Sequence, residues 1–247
     1  MTLEKRAKSA AQPALPKARV VERKDYTPNL MVIKLQPETP YAFKAGHYCT
    51  IGVDGVERAY SIVSAPHEEL LELFIERVPH GELTPRLWGV QVGDSVTIRP
   101  RAKGVFIFDE KHPNHLMLAT VTGIAPFVSM TRSYLHQGRS GHHFYILQGA
   151  SYFNEFVYRE EMEHRAAEHS DAVTYVSSVS RPTEDVNRPW RGYLGRVNLL
   201  VEAVVGAWGL KPESTAVYAC GHPGMIEDAK ARLAPKGFVV KEERYWV

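Results

Sequence analysis

A chain of 247 residues makes one large domain or two ordinary ones, at ~100 to 200 residues per domain. With 44% hydrophobic and 23% charged residues its composition is that of a globular protein rather than a disordered one, and no apolar run approaches the ~18 to 20 residues of a bilayer span. The net charge of +2 is uneven: residues 1–24 hold seven Lys/Arg against Glu4 and Glu22, so the remainder is net negative, which argues against a nucleic-acid footprint over the whole protein.

Residues 1–17 read as a mobile basic tail without the apolar h-region of a secretory signal, and a cytoplasmic location is expected. Cys49 and Cys220 stand far apart and cannot hold an iron-sulfur cluster or a structural zinc, each of which needs several closely spaced ligands. His112/His115 and His142-His143 have no accompanying carboxylate pattern, so they read as surface or packing residues and no metal is expected.

From residue 18 the chain reads as short strands broken by turn residues: Ala18 to Arg23, Leu30 to Leu35, Tyr48 to Val53, Arg58 to Val63, Leu70 to Val78, Ser95 to Arg99 and Val105 to Phe108. β-branched runs such as Met31-Val32-Ile33, punctuated by Gly46, Gly52, Gly55, Gly81 and Gly93, suggest a closed or nearly closed antiparallel barrel. After about residue 112 the texture changes to alternation. Strands are predicted at His115 to Thr120, Phe144 to Leu147, Val173 to Ser177, Ala216 to Cys220 and Phe238 to Lys241. Helices are predicted at Phe127 to Leu135, Asn154 to Ala167 with Asn154 as N-cap, Val197 to Val205 and Met225 to Leu233. Such alternation argues a doubly wound, largely parallel α/β sheet. The expected organisation is therefore a tail over 1–17, a β-barrel over 18–112 and an α/β domain over 113–247.

Two stretches in the first half carry chemistry. Arg58-Ala59-Tyr60-Ser61 places a permanent cation, a flat aromatic ring and a hydroxyl within four residues. Gly81-Glu82-Leu83-Thr84-Pro85-Arg86-Leu87 reads as a glycine turn entering a short helix, either a capped surface helix or a seat for a diphosphate. In the second half, ligands of a doubly wound sheet sit outside the carboxyl ends of the strands. Three features fall there: Thr120 to Pro126, the pair Ser180-Arg181, and Cys220-Gly221-His222-Pro223-Gly224-Met225.

The order Arg-x-Tyr-Ser, Gly-x-Leu-Thr, Thr-Gly-Ile-Ala-Pro, Ser-Arg and Cys-Gly-x-Pro-x-Met, on a barrel followed by an α/β domain, resembles the ferredoxin-NADP reductase family, its bacterial branch most closely. The resemblance covers about residues 18 to 247. It implies FAD and NADP(H) as cofactors and ferredoxin or flavodoxin as redox partner. Arg58 would face the FAD pyrophosphate, with Ala59 beside it, Tyr60 would stack on the isoalloxazine, and Ser61 would hydrogen-bond near flavin N5. Phe74, Ile75 and Glu76 look like the segment running past FAD, and Gly81, Leu83 and Thr84 like the diphosphate turn. Thr122 and Gly123 look like the loop for the NADPH pyrophosphate, and Cys220 and Gly221 like the strand end where nicotinamide docks. Ser61, Cys220 and Tyr60 are the expected catalytic residues. Ser180, Arg181 and Arg196 are the expected 2'-phosphate contacts, since Arg matches a phosphate bidentately. Tyr245 or Trp246 would stack on FAD or else plug the domain interface.

Two departures from the pattern stand out. Val121 occupies a position where relatives often carry glycine, and Ser151 stands where many bacterial relatives carry Arg. The main expectation is a monomeric, FAD-dependent oxidoreductase that exchanges hydride with NADP(H) and single electrons with a small acidic protein, for which Arg99, Arg101 and Lys103 form a candidate docking patch. The alternatives are an NAD(P)H-dependent flavin reductase or b5-reductase-like enzyme, and a non-catalytic electron-transfer or nucleotide-sensing module.

Overall fold

The structure, a computed structural model, describes residues 14–244. Most of the basic tail, together with Tyr245 and Trp246, lies outside the described residues.

Six strands, β1 (Lys17–Thr27), β2 (Leu30–Pro37), β3 (Tyr48–Val53), β4 (Val56–Ser61), β5 (Leu71–Glu76) and β6 (Ser95–Ile98), form an antiparallel sheet in the order β4-β3-β6-β1-β2-β5. Its two edges meet: Ile62, one residue beyond β4, bridges Leu73 of β5 antiparallel, and Val63 N–H donates to the Glu72 carbonyl at 2.8 Å. The sheet is thereby closed into a barrel around Ala18, Val20, Leu35, Ile51, Ile62, Leu73 and Ile75, all fully buried. Between β5 and β6 lies the one-turn helix α1 (Thr84–Leu87).

The second sheet is wholly parallel. β7 (Asn114–Thr120), β8 (His143–Ala150), β9 (Val173–Val179), β10 (Tyr193–Leu194), β11 (Thr215–Gly221) and β12 (Val240–Arg244) lie in the order β10-β9-β8-β7-β11-β12. The helices are α2 (Ala125–His136), α3 (Arg159–Glu168), α4 (Val197–Ala207) and α5 (Pro223–Leu233). Central strands are apolar on both faces because helices cover both. In β7, Met117 and Ala119 pack with Phe127, Val128 and Met162 of α2 and α3, whereas Leu116 and Leu118 pack with Val201, Ile226 and Leu233 of α4 and α5. The chain winds outward from β7 to β10, then returns to place β11 on the other side of β7. That reversal opens a crevice between the carboxyl ends of β7 and β11, where ligands of such sheets bind.

Barrel and sheet share apolar packing. Leu30, Val32, Val63 and Phe74 of the barrel side enter the same core as Phe127, Tyr134 and Tyr158.

Two expectations are corrected. Val105 to Phe108 forms no strand: Val105 is 92% exposed while Phe106 is buried among Phe127 and Tyr218 and Phe108 packs against Tyr134 and Phe144, so the segment is a linker pinned by two aromatic side chains. Asn154 does not cap a helix; it sits in a 3₁₀ turn (Phe153–Glu155), and α3 begins only at Arg159.

His115, fully buried on β7, is enclosed by Phe108, Phe144 and Tyr218, and neither ring nitrogen has a hydrogen-bond partner among the described residues. Burial pushes its imidazole down to about 3, with His142 and His112 lowering it further and Asp109 opposing. The folded state therefore holds His115 neutral. Below the ordinary histidine value of about 6.5 the unfolded chain binds a proton that the folded one refuses, so stability falls with pH by up to about 1.4 kcal/mol per unit. His115→Phe is expected to lose about 2 kcal/mol less than the parent between about pH 7.5 and about pH 5, measured by urea unfolding. Equal losses would show that His115 does not set the slope.

Candidate functional site

A cavity of about 930 Å³ opens at the crevice between β7 and β11, within the ~300 to 1,000 Å³ usual for ligand pockets. Its floor is backbone. Beyond β7, Val121 has φ +43°, a left-handed conformation that costs a β-branched residue about 1 to 3 kcal/mol. Gln148 Nε2 donates to its carbonyl at 3.2 Å. Gly123 lies so close to β11 that a Cβ there would be 2.1 Å from the Cys220 carbonyl oxygen. Gly221 has φ +122°, and a Cβ on it would be 2.2 Å from Thr120 Oγ1, which accepts from His222 N–H at 2.8 Å. The strand ends thus touch through atoms that only glycine leaves uncovered.

One wall gathers Ser180, Arg181 and Arg196. Arg181 Nη1 donates to the Tyr152 hydroxyl at 2.8 Å, and that hydroxyl donates to Glu184 Oε2 at 2.7 Å. Arg181 lies 3.5 Å from Glu184 Oε1 and over the Tyr152 ring at 5.4 Å. The buried Asn187 ties this wall together: its amide donates to the carbonyls of Arg181 and Ser151, both at 2.8 Å, and its oxygen accepts from Phe153 N–H at 2.8 Å. Ser151 and Tyr152 N–H groups donate to Glu155 at 2.8 and 2.9 Å. Glu155 and Glu76 both line the cavity. Burial raises both carboxyls, and the charge of Glu155 raises Glu76 further.

The barrel reaches this cavity through Glu76, and a second cluster, outside the cavity's lining, ties the barrel to β11 and β12. Ser61 is buried and donates to Glu243 Oε1 at 2.5 Å. Glu243 pairs with Cys220 in the parallel register of β11 and β12, so Ser61, Glu243 and the buried Cys220 meet at one strand end. Burial raises the Glu243 carboxyl, against the lowering effect of Ser61. The neighbouring Glu242 instead pairs with Lys230 and Arg244.

Arg58 pairs with Glu82 and donates to the Glu57 carbonyl at 2.7 Å, which brings it to the Gly81 turn. Thr84 Oγ1 folds back on Val78, accepting from its N–H at 2.9 Å and donating to its carbonyl at 3.1 Å. Leu83 is buried in the barrel core, and α1 begins without a side-chain cap. Ala59 is exposed; Tyr60 is half-buried against the barrel core. Phe74 and Ile75 turn their side chains into apolar cores, leaving Glu76 as the residue of that trio on the cavity. Arg99 is held by both oxygens of Glu57, at 2.9 and 2.5 Å, so its charge is already answered.

These features suit a dinucleotide and a flavin. The uncapped turn beside Arg58 offers N–H groups and a cation to a diphosphate, and the close strand ends leave backbone bare at the crevice. Among the described residues no three His, Cys, Asp or Glu stand where they could hold a metal ion.

The family model described as an oxidoreductase NAD-binding domain matches residues 117–231. The chain is 29% identical to ferredoxin–NADP reductase A of Sorangium cellulosum over 92% of this chain and 85% of that protein. It is 33% identical to the flavodoxin/ferredoxin–NADP reductase of Escherichia coli over 76% of this chain and 77% of that one. The chain belongs to the flavodoxin/ferredoxin–NADP reductase family. In fold, this reductase resembles the crystal structure of a Neisseria gonorrhoeae ferredoxin–NADP+ reductase with bound FAD and NADP, with TM-score 0.82 and 23% identity over 95% of this chain and all of that one. It also resembles the b5-reductase domain of Ulva prolifera nitrate reductase, with TM-score 0.77 and 20% identity over 93% of this chain and 97% of that one.

Sequence reading of the reductase missed Tyr152, Asn187 and Glu184, because a polar residue in a loop gives no periodic signal until its partners are known. Gly123→Ala is expected to cost about 1 to 3 kcal/mol, while Val121→Gly, which relieves the left-handed strain, costs nothing or stabilises; urea unfolding of the two variants measures both. A Gly123→Ala protein as stable as its parent would contradict the close strand contact.

Proposed function

We propose that the chain is an FAD-dependent oxidoreductase that exchanges hydride between NADP(H) and flavin, and single electrons with ferredoxin or flavodoxin. The observation that carries it is the Ser61–Glu243 hydrogen bond at 2.5 Å, which joins a barrel strand end to the strand registered with Cys220, one residue before Gly221 of the cavity lining. Residues 18–112 are assigned to FAD and 113–247 to the nicotinamide nucleotide, in a cytoplasmic monomer.

FAD supplies the redox chemistry, since a flavin works in both one- and two-electron steps. Arg58 exchanges Glu82 for a pyrophosphate, helped by the turn at Gly81, Leu83 and Thr84. Tyr60 presents its ring face, and the backbone of Phe74, Ile75 and Glu76 runs alongside. Ser61 Oγ holds a proton between the reacting centre and Glu243 Oε1, whose carboxyl burial raises, so that it takes up a proton more readily than an exposed glutamate. Thr122 and Gly123 receive the nucleotide's pyrophosphate, Cys220 and Gly221 shape the nicotinamide seat and exclude water, and Ser180, Arg181 and Arg196 meet the 2'-phosphate.

Glu184 beside Arg181 and the carboxylates of Glu155 and Glu76 on the same cavity favour one competing assignment, an NAD(P)H-dependent flavin reductase or b5-reductase-like enzyme. Anaerobic addition of NADPH or NADH to the purified protein separates the two. The main assignment expects a yellow protein bleached faster by NADPH and reoxidised by ferredoxin or flavodoxin; a colourless protein that FAD cannot reconstitute would sink it. Faster bleaching by NADH would favour the competitor. Arg181→Ala is expected to raise the KM for NADPH about tenfold or more, the worth of a charged hydrogen bond, with little change for NADH.

A further inference from the structure

We infer, on the reading that Arg181 faces a 2'-phosphate, that Glu184 sets the margin by which this chain prefers a 2'-phosphorylated nucleotide to one with a free 2'-hydroxyl. The cation on which that preference rests is already engaged. Arg181 donates to the Tyr152 hydroxyl at 2.8 Å and stands 3.5 Å from Glu184 Oε1. The single hydroxyl proton of Tyr152 goes to Glu184 Oε2 at 2.7 Å. Tyr152 thus relays one carboxylate onto one guanidinium.

A phosphate arriving at Arg181 meets Glu184 as a competitor. Carboxylate and phosphate are both acceptors at neutral pH and cannot hydrogen-bond to each other, so sharing one guanidinium brings two like charges together. Glu184 cannot leave with its backbone. Its N–H donates to the Arg181 carbonyl at 3.2 Å, and Asn187 fixes that same carbonyl to the Ser151 loop at 2.8 Å. Only rotation of the side chain relieves the clash, at the expense of the bonds to Tyr152 and Arg181.

The other charged groups of this wall do not duplicate the role. Glu155 lines the cavity but is occupied by the N–H groups of Ser151 and Tyr152. Arg196 lines the cavity with no ion pair among the described residues. Ser151 adds no charge where a further cation would outweigh Glu184. The selectivity of the wall is therefore held down by one carboxylate rather than fixed by the number of its arginines.

The test is calorimetric titration of the full-length, flavin-loaded protein with adenosine 2',5'-bisphosphate and with adenosine 5'-monophosphate. Glu184→Gln keeps an acceptor for Tyr152 while removing the charge. It is expected to tighten the bisphosphate about two- to fivefold, the range that exposed ion pairs reach, and to leave the monophosphate unchanged. The gain is expected to fade toward about 1 M salt, where screening is nearly complete. Equal tightening of both probes, or none of the bisphosphate, overturns the inference. Arg181→Ala in the same titration separates the two levels. If it weakens the bisphosphate while Glu184→Gln changes nothing, only the role of Glu184 fails; if Arg181→Ala leaves the bisphosphate unaffected, the phosphate's placement fails and the role of Glu184 with it.

Discussion

Everything at the site depends on how the barrel is set against the parallel sheet, and the directional part of that setting is the ion network of Arg132. From α2 its guanidinium meets both oxygens of Glu161 on α3, at 2.8 and 2.7 Å, and reaches Glu68 and Glu72 of the barrel side at 3.2 and 3.3 Å. Tyr158 donates to Glu72 at 2.6 Å, and Ser129 donates to the Ser64 carbonyl at 2.7 Å. The shared apolar core favours contact but not a particular angle, since apolar burial is non-directional. A largely buried cation with three carboxylates admits few arrangements, because a slip would strand a charge away from water.

That fixed setting brings Glu76 of the barrel to a cavity lined otherwise by the parallel-sheet half. Ser61 and Arg58 ride on a barrel edge closed by a single bridge, while Gly123 and Gly221 lie where β7 and β11 part. The glycines keep the strand ends in contact, and Asn187 does the same for the two loops around Arg181. Close backbone approach and a saturated buried amide are different solutions to one need, holding loop atoms as firmly as strand atoms.

Much of this was legible in the sequence because strands of two textures bury in two ways. β-branched runs between glycines gave the barrel, and near-continuous apolar runs such as Leu116 to Ala119 gave the parallel sheet. Motif order then placed the loops. What escaped was set by partners distant in sequence. Val105 to Phe108 looks like a strand by composition, yet Phe106 and Phe108 both turn to the same core while Val105 stays exposed. Phe74 and Ile75 lie on a segment that motif order sets beside the flavin, but their alternation serves two cores. The Tyr152, Arg181 and Glu184 cluster exists only once two loops are brought together. Tyr245 and Trp246 lie outside the described residues.

The hydrogen bond between Ser61 and Glu243 spans 182 positions of the chain. Contacts of such long separation form late, because the loop they close must first lose its freedom. The barrel, translated first, can fold with its strands complete and still lack the carboxylate that meets Ser61. That carboxylate comes with β12, and β12 needs β11 in place to pair with. A nascent chain stalled before β12 would own a finished barrel whose Ser61 still waits for Glu243.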